Sequence, residues 1–292
     1  MKVGRKTALL RQMIRRGCVV MPGAFNAATA RLIERAGFPA VYISGAGLAN
    51  ATAGVPDIGL LTLTEVAQLA GYIANAVQIP TLADADTGFG GPQNVARTIE
   101  EFERARLAGM HLEDQTFPKR CGHLAGKSLV DVEEMAEKLR AATRARRDKD
   151  FLIVARTDAR AVEGLESAVL RAKSYLKAGA DAIFPEALQS AAEFREFARR
   201  VVLPHGHQAP LMANMTEFGR SPLLSVRELS AMGYRMVIFP QTAFRVSMKS
   251  AEACLRDLKR RGTQKAWLKK MQTRQQLYDL LNYDPHADAW TR

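Results

Sequence analysis

The chain has 292 residues, 47% hydrophobic and 25% charged, and 42 Lys+Arg against 30 Asp+Glu give a formal net charge of +12. That length buries a large core in one big domain or two small ones, and no apolar stretch approaches the roughly 20 residues of a membrane span. The basic runs at 140–149 and 256–270 are interleaved with Ala, Leu and acidic residues, and only 7% of residues are aromatic. This reads as solvated helix faces and argues against a nucleic-acid module.

From the N-terminus, a helical pattern over 7–16 is followed by short apolar, β-branched runs. Those at 18–21, 40–43, 81–83, 110–112, 151–155, 182–184, 210–213 and 236–239 predict eight strands. Between them, amphipathic spacing predicts helices over 64–76, 92–108, 132–147, 164–178, 191–200 and 226–232, with a helical tail over 264–281. Ala108-Gly109 and Ala178-Gly179 place glycine where a helix can end in a left-handed residue. Eight βα units over roughly 250 residues match an α/β fold of the (β/α)8 TIM-type barrel, with an N-terminal helix and a C-terminal helical extension. A doubly wound open sheet is the alternative, weakened because no Gly-x-Gly-x-x-Gly follows the first run. Nothing reads as an interdomain linker, so residues 1–292 are expected to form one domain with 264–292 as its tail.

The three cysteines, Cys18, Cys121 and Cys254, are too scattered for a disulfide framework or a structural zinc site. Residues 1–6 lack the apolar core of a signal peptide, so a reduced, cytoplasmic protein is expected.

In such a barrel the chemistry gathers where strands end. Those positions hold Tyr42, Ser44, Gly45 and Ala46, then Asp57, then Asp84 and Asp86, then Glu113 and Gln115. Later ends supply Arg156 and Asp158, Glu186, Asn214 and Thr216, and Arg245. Asp84 and Asp86 flank Ala85 before a glycine-rich turn, which suits a hydrated divalent cation such as Mg²⁺; capping or turn formation is the plainer reading of either alone. His111, Cys121 and His123 do not make a four-ligand zinc pattern. Arg156 and Arg245 can fork onto carboxylates, or Arg156 can pair with Asp158 or Glu186. Lys119-Arg120-Cys121-Gly122-His123 puts a thiol among three potential cations, which is expected to favour the thiolate and bring its pKa down. His205-Gly206-His207 precedes the seventh run and reads as a surface loop.

These motifs resemble the isocitrate lyase and phosphoenolpyruvate mutase superfamily, and within it the methylisocitrate-cleaving lyases. The resemblance runs through Ser44-Gly45-Ala46-Gly47, the 84–90 turn, Glu113-Asp114-Gln115, the 119–123 loop, 214–219 and 271–274. It implies Mg²⁺ at Asp84 and Asp86 with Glu113 nearby. It also implies substrate contacts from Ser44, Gly45, Ala46, Cys121, Gly122, Arg156, Glu186, Asn214, Met215, Thr216, Arg245 and Arg274. The implied reaction cleaves a small di- or tricarboxylate, 2-methylisocitrate, to pyruvate and succinate, as in propionate catabolism. Cys121 is then the general acid, and Tyr42 or Glu113 the base. Isocitrate or dimethylmalate are rival substrates, and a nucleic-acid binder on an inactive barrel is the reading from another class. The resemblance further implies a homotetramer with exchanged C-terminal helices. Ala46 departs from it, standing where many relatives have a third glycine.

Overall fold

The structure is a computed structural model and describes residues 4–203 and 206–287. All eight predicted strands are present: β1 (Val19–Ala24), β2 (Val41–Ile43), β3 (Thr81–Asp84), β4 (Gly109–Glu113), β5 (Leu152–Thr157), β6 (Ala182–Pro185), β7 (Met212–Asn214) and β8 (Met236–Phe239). Strands β2 to β6 are buried along their whole length, which is why they read as continuous apolar runs. The strands pair in parallel in the order β6-β5-β4-β3-β2-β1-β8-β7, with Val19 of β1 beside Met236 of β8. A bridge between Ile183 and Leu211 joins β6 to β7 and completes the ring.

Successive side chains on a strand point to opposite faces. Met21, Leu82, Val154, Phe184 and Met236 therefore share the barrel interior, while Ile43, Ala83, Leu112, Ile153 and Val237 pack beneath the outer helices. Leu10 and Ile14 of the first helix (Gly4–Arg16) belong to the interior cluster, so this helix plugs the N-terminal mouth. Each fully buried aliphatic side chain of this kind contributes about 1.5–3 kcal/mol. The polar residues are thereby confined to the opposite, C-terminal end.

The outer helices follow the predicted pattern at Leu63–Ala76, Pro92–Arg104, Val132–Ala145, Leu165–Lys177, Ala191–Arg200 and Val226–Ala231. Thr62 with Glu65 and Ser225 with Glu228 form capping boxes that satisfy the first free N–H groups. Gly179, at φ +107°, ends its helix as expected, but the helix predicted to reach 108 stops at Arg104 because Arg106 takes the left-handed turn at φ 67°. Gly109 serves a different purpose: it opens β4, and a Cβ there would lie 2.6 Å from the Leu152 carbonyl oxygen.

The tail predicted as one helix over 264–281 is instead a short turn of helix, Lys265–Lys270, and a separate helix, Arg274–Leu281. Thr273 breaks them apart by capping the second with Gln276. Before them the helix Thr242–Arg261 buries none of its residues. Gly206 and His207 are exposed before β7, and His205 lies outside the described residues. No helix among the described residues is long and apolar enough to cross a membrane.

Candidate active site

Inward-facing residues at the C-terminal ends of the strands form one buried polar cluster. Tyr42 on β2 has its hydroxyl 2.7 Å from His111 Nε2 and 3.5 Å from Asp84 Oδ2. His111 sits two residues before Glu113 on β4, and this period of two puts both on the inner face. Burial drives His111 down to about 4, outweighing the pull of Asp84, so its imidazole is neutral. Sequence reasoning weighed His111 only as a zinc ligand; its spacing from Glu113 was the signal that it belongs to this site.

Asp84 begins the acidic rim. Burial opposes its ionisation, but Lys119, Arg156 and the hydrogen bond from Asp86 N–H at 3.0 Å hold its carboxyl below the ordinary range. Gly45 lets the backbone after β2 approach it, since a Cβ there would sit 2.9 Å from Asp84 Oδ2. The Ser44 hydroxyl accepts from Gly47 N–H at 3.1 Å and caps the short turn of helix Gly45–Leu48. Asp86 is pushed up to about 6, chiefly by burial, against the opposing effect of Lys119.

Arg156 on β5 gives Nε and Nη2 to Asp158 at 2.9 and 3.2 Å. Its Nη1 lies 3.4 Å from Glu186 Oε2 on the loop after β6. The ion-pair reading of Arg156 therefore holds, and the fork available for a carboxylate is smaller than a free arginine's. Although Arg156 Nε is 3.3 Å from Glu113 Oε2, neither Glu113 oxygen has a hydrogen-bond partner. Glu113 is 1% exposed, and burial pushes its carboxyl well above the usual range. Asp114 turns outward, where it takes Thr157 Oγ1 at 2.7 Å, Asp158 N–H at 2.9 Å and Tyr175 Oη at 2.8 Å. It braces β4 against β5.

Carboxylate oxygens from Asp84, Asp86 and Glu113, both of Glu113's buried without a hydrogen-bond partner, are the donor set that a hard, partly hydrated cation such as Mg²⁺ takes. Among the described residues no three or more His, Cys, Asp or Glu side chains converge as a direct cage, so such an ion would keep several waters.

The 119–123 loop is folded over this cluster. Gly122 is buried, and a Cβ on it would lie 2.5 Å from Glu186 Cγ and press on Arg156 Nη2. His123 Nε2 is 2.9 Å from Glu186 Oε1, and its Nδ1 accepts from Arg220 N–H at 3.0 Å, linking the loop to the segment after β7. Asn214 Nδ2 reaches Glu186 Oε2 at 3.2 Å. Burial opposes ionisation of Glu186, yet Arg156 and His123 hold its carboxyl well below the usual range.

The expectation of a depressed Cys121 pKa is overturned. Burial pushes the thiol up, and the neighbouring cations are directed elsewhere. Lys119 Nζ lies between Asp57 and Asp86, 2.7 Å from the latter; Arg120 is exposed beside Gly126; His123 is on Glu186. A half-buried thiol that keeps its proton is suited to act as an acid.

Two arginines fall outside the cluster. Arg245, in the first turn of Thr242–Arg261, is half exposed, lies 3.6 Å from Glu217 and stacks over Phe218 at 5.5 Å. Arg274 is exposed on the tail, whose end packs near the helix Ala27–Arg35 through Arg31 Nη1 donating to Leu280 O at 3.2 Å. Thr216 borders Gly219 beneath His123, and Met215 is buried, its sulfur accepting from Leu224 N–H at 3.3 Å.

A closed barrel with an acidic, arginine-braced cluster at its C-terminal mouth and a cysteine loop over it defines an enzyme of carboxylate chemistry. The chain belongs to the phosphoenolpyruvate phosphomutase family, whose model matches residues 10–259. It is 53% identical over 280 residues to the 2-methylisocitrate lyase of Aeropyrum pernix, covering 96% of this chain and 88% of that one. Among solved structures, a 2,3-dimethylmalate lyase superposes with a TM-score of 0.88 at 37% identity, covering 96% of this chain and 92% of that one. A phosphonopyruvate hydrolase complex with oxalate and Mg²⁺ superposes with a TM-score of 0.85 at 31% identity, covering 95% of each chain.

Proposed function

We propose that this chain is a Mg²⁺-dependent carbon–carbon lyase that cleaves 2-methylisocitrate to pyruvate and succinate. The observation that carries the reading is the proton-bearing Cys121 on a loop seated against Arg156 and Glu186. The 53% identity to a 2-methylisocitrate lyase supports the substrate.

Asp84 and Asp86 would hold the ion, with Glu113 and Asp57 beside it. Bound there, Mg²⁺ supplies Lewis acidity toward a substrate hydroxyl and its adjacent carboxylate. Glu113 would take the C2 hydroxyl proton: burial raises its carboxyl, but a cation bound beside it would favour the carboxylate, and both of its oxygens lack a hydrogen-bond partner. Tyr42 does not take it, because burial holds the phenol's pKa well above its ordinary value, so it remains a donor beside His111. The C2–C3 bond then breaks: C2 becomes the carbonyl of pyruvate, and the electron pair stays on C3 beside its carboxylate. Arg156 faces that developing charge, and Cys121 gives its proton to C3, completing succinate. Ser44, Gly45 and Ala46, through backbone N–H groups, and Gly122, Glu186, Asn214, Met215 and Thr216 complete the substrate's surroundings. Closure of the loop keeps water from the carbanion.

The test is pyruvate release from 2-methylisocitrate by the Mg²⁺-loaded enzyme, with dimethylmalate and isocitrate in parallel and EDTA as control. Cys121→Ser should lose about 10³-fold in kcat while Mg²⁺ affinity stays unchanged. Faster turnover of either rival acid, or substantial cleavage by the serine variant, refutes the respective assignment.

The assembly we propose is a homotetramer that exchanges C-terminal helices. The unburied helix Thr242–Arg261 and the apolar groove of about 930 Å³ beside it, lined by Val20, Pro22, Leu32, Phe38 and Phe239, support this. Exchange is also how Arg245 and Arg274 could enter a neighbouring site. The single barrel with its tail acts as one domain, and the free thiols of Cys18, Cys121 and Cys254 fit the reducing cytoplasm.

A further inference from the structure

The Cys121 loop is pinned at its base and hooked at its middle. At the base, Gln115 bridges Leu129, Thr116 N–H donates to Ser128 O at 2.9 Å, and Val130 N–H donates to Asp114 O at 2.9 Å. Lys127 stands next to that fixed base. Its side chain, 1% exposed, runs beneath the loop, where Nζ donates to the Gly122 carbonyl and to Asp158 Oδ1, the latter at 2.6 Å. Asp158 is fully buried and is the same carboxylate that takes two hydrogen bonds from Arg156. Burying an ammonium costs several kcal/mol unless it is paired and hydrogen-bonded. Here one of its bonds goes to the wall of the site and the other to the part of the loop that closes over it. A loop that swings out removes the Gly122 carbonyl from Nζ and leaves the Asp158 contact behind.

We infer that Lys127 is the latch of the Cys121 loop. It is a positioning residue that holds the loop shut through the Gly122 carbonyl and ties closure to Arg156 through the carboxylate they share. The kinetic part of this inference rests on the proposed lyase reaction; the latch itself does not.

The test is Lys127→Met, which keeps the aliphatic stem and removes the donors. Alkylation of Cys121 by iodoacetamide, mapped by mass spectrometry with Cys18 and Cys254 as internal references, should accelerate at least about fivefold at Cys121 alone. Removing a cation disfavours the thiolate, so electrostatics alone would slow that reaction; acceleration reports opening. Turnover should fall about 30-fold or more in kcat, with Mg²⁺ affinity within about twofold, and Lys127→Arg should recover part of both the protection and the rate. Unchanged alkylation of Cys121, or equal acceleration at all three thiols, overturns the latch. If the methionine variant does not accumulate folded, Lys127→Gln is alkylated in its place and read by the same criteria. Should 2-methylisocitrate not be the substrate, the alkylation arm still decides the latch by itself.

Discussion

Replacing Gly122 with alanine probes the closed arrangement at its tightest point. The added Cβ would lie 2.5 Å from Glu186 Cγ, and the residues it meets are buried, Glu186 at 1% and Arg156 at 8% exposure. Neither can yield readily. Glu186 is held by Ala187 N–H at 2.8 Å and Asn214 Nδ2 at 3.2 Å, and Arg156 is gripped twice by Asp158. The loop must therefore retreat by about 1 Å or more to regain an ordinary carbon–carbon separation of about 3.5–4.0 Å. A displacement of about 1 Å at a reacting group costs about 10²-fold in rate, equivalent to about 2.7 kcal/mol in the barrier. The strands beneath the loop need not move, so the cost in folding stability should stay near the lower end of the 1–3 kcal/mol typical of overpacking. Pyruvate release, coupled to NADH oxidation by lactate dehydrogenase at saturating Mg²⁺, gives kcat, and thermal melting gives the stability. A variant that retains kcat within about threefold of the parent refutes the reasoning, because the thiol would then tolerate a displacement that the mechanism forbids.

Three further outcomes are expected. With its carboxyl pushed up to about 6, Asp86 is ionised in about one molecule in eleven at pH 5, so protons compete with Mg²⁺ and its affinity should weaken about tenfold between pH 7.5 and 5. In metal-free enzyme the raised carboxyl contributes stability that is present below about pH 4 and lost as pH rises through about 6, so Mg²⁺ should raise the melting temperature more at pH 7.5 than at pH 5; equal effects exclude Asp86 as a ligand. Val246→Glu places a charge on a residue that is 66% exposed and lines the apolar groove, and it should dissociate the proposed tetramer as measured by light scattering. A monomeric parent, or a variant that stays tetrameric, contradicts helix exchange.

The eight strands were legible because parallel strands buried on both faces read as short, near-continuous apolar runs, a pattern that needs no tertiary knowledge. Asp84, Glu113, Arg156 and Glu186 were legible for a related reason: polar residues at the ends of such runs gather at the C-terminal mouth of the barrel. The closed loop was not. Lys119 beside Cys121 in sequence implied a thiolate, but its ammonium is drawn to Asp57 and Asp86, so that burial, not its neighbours, governs the thiol. Likewise Asp114 directly follows Glu113 in the sequence, yet the pleat sends the two side chains to opposite faces, one to the site and one to Tyr175. The sequence by itself determined which elements form and which residues stand at their ends, since both follow from local periodicity. Only the tertiary structure decided where each charge points and which protons are kept, because these depend on distances between residues far apart in the chain: Lys127 to Asp158 beneath the loop, Asp158 to Asp114 across two strands, Glu186 to His123 across the barrel mouth.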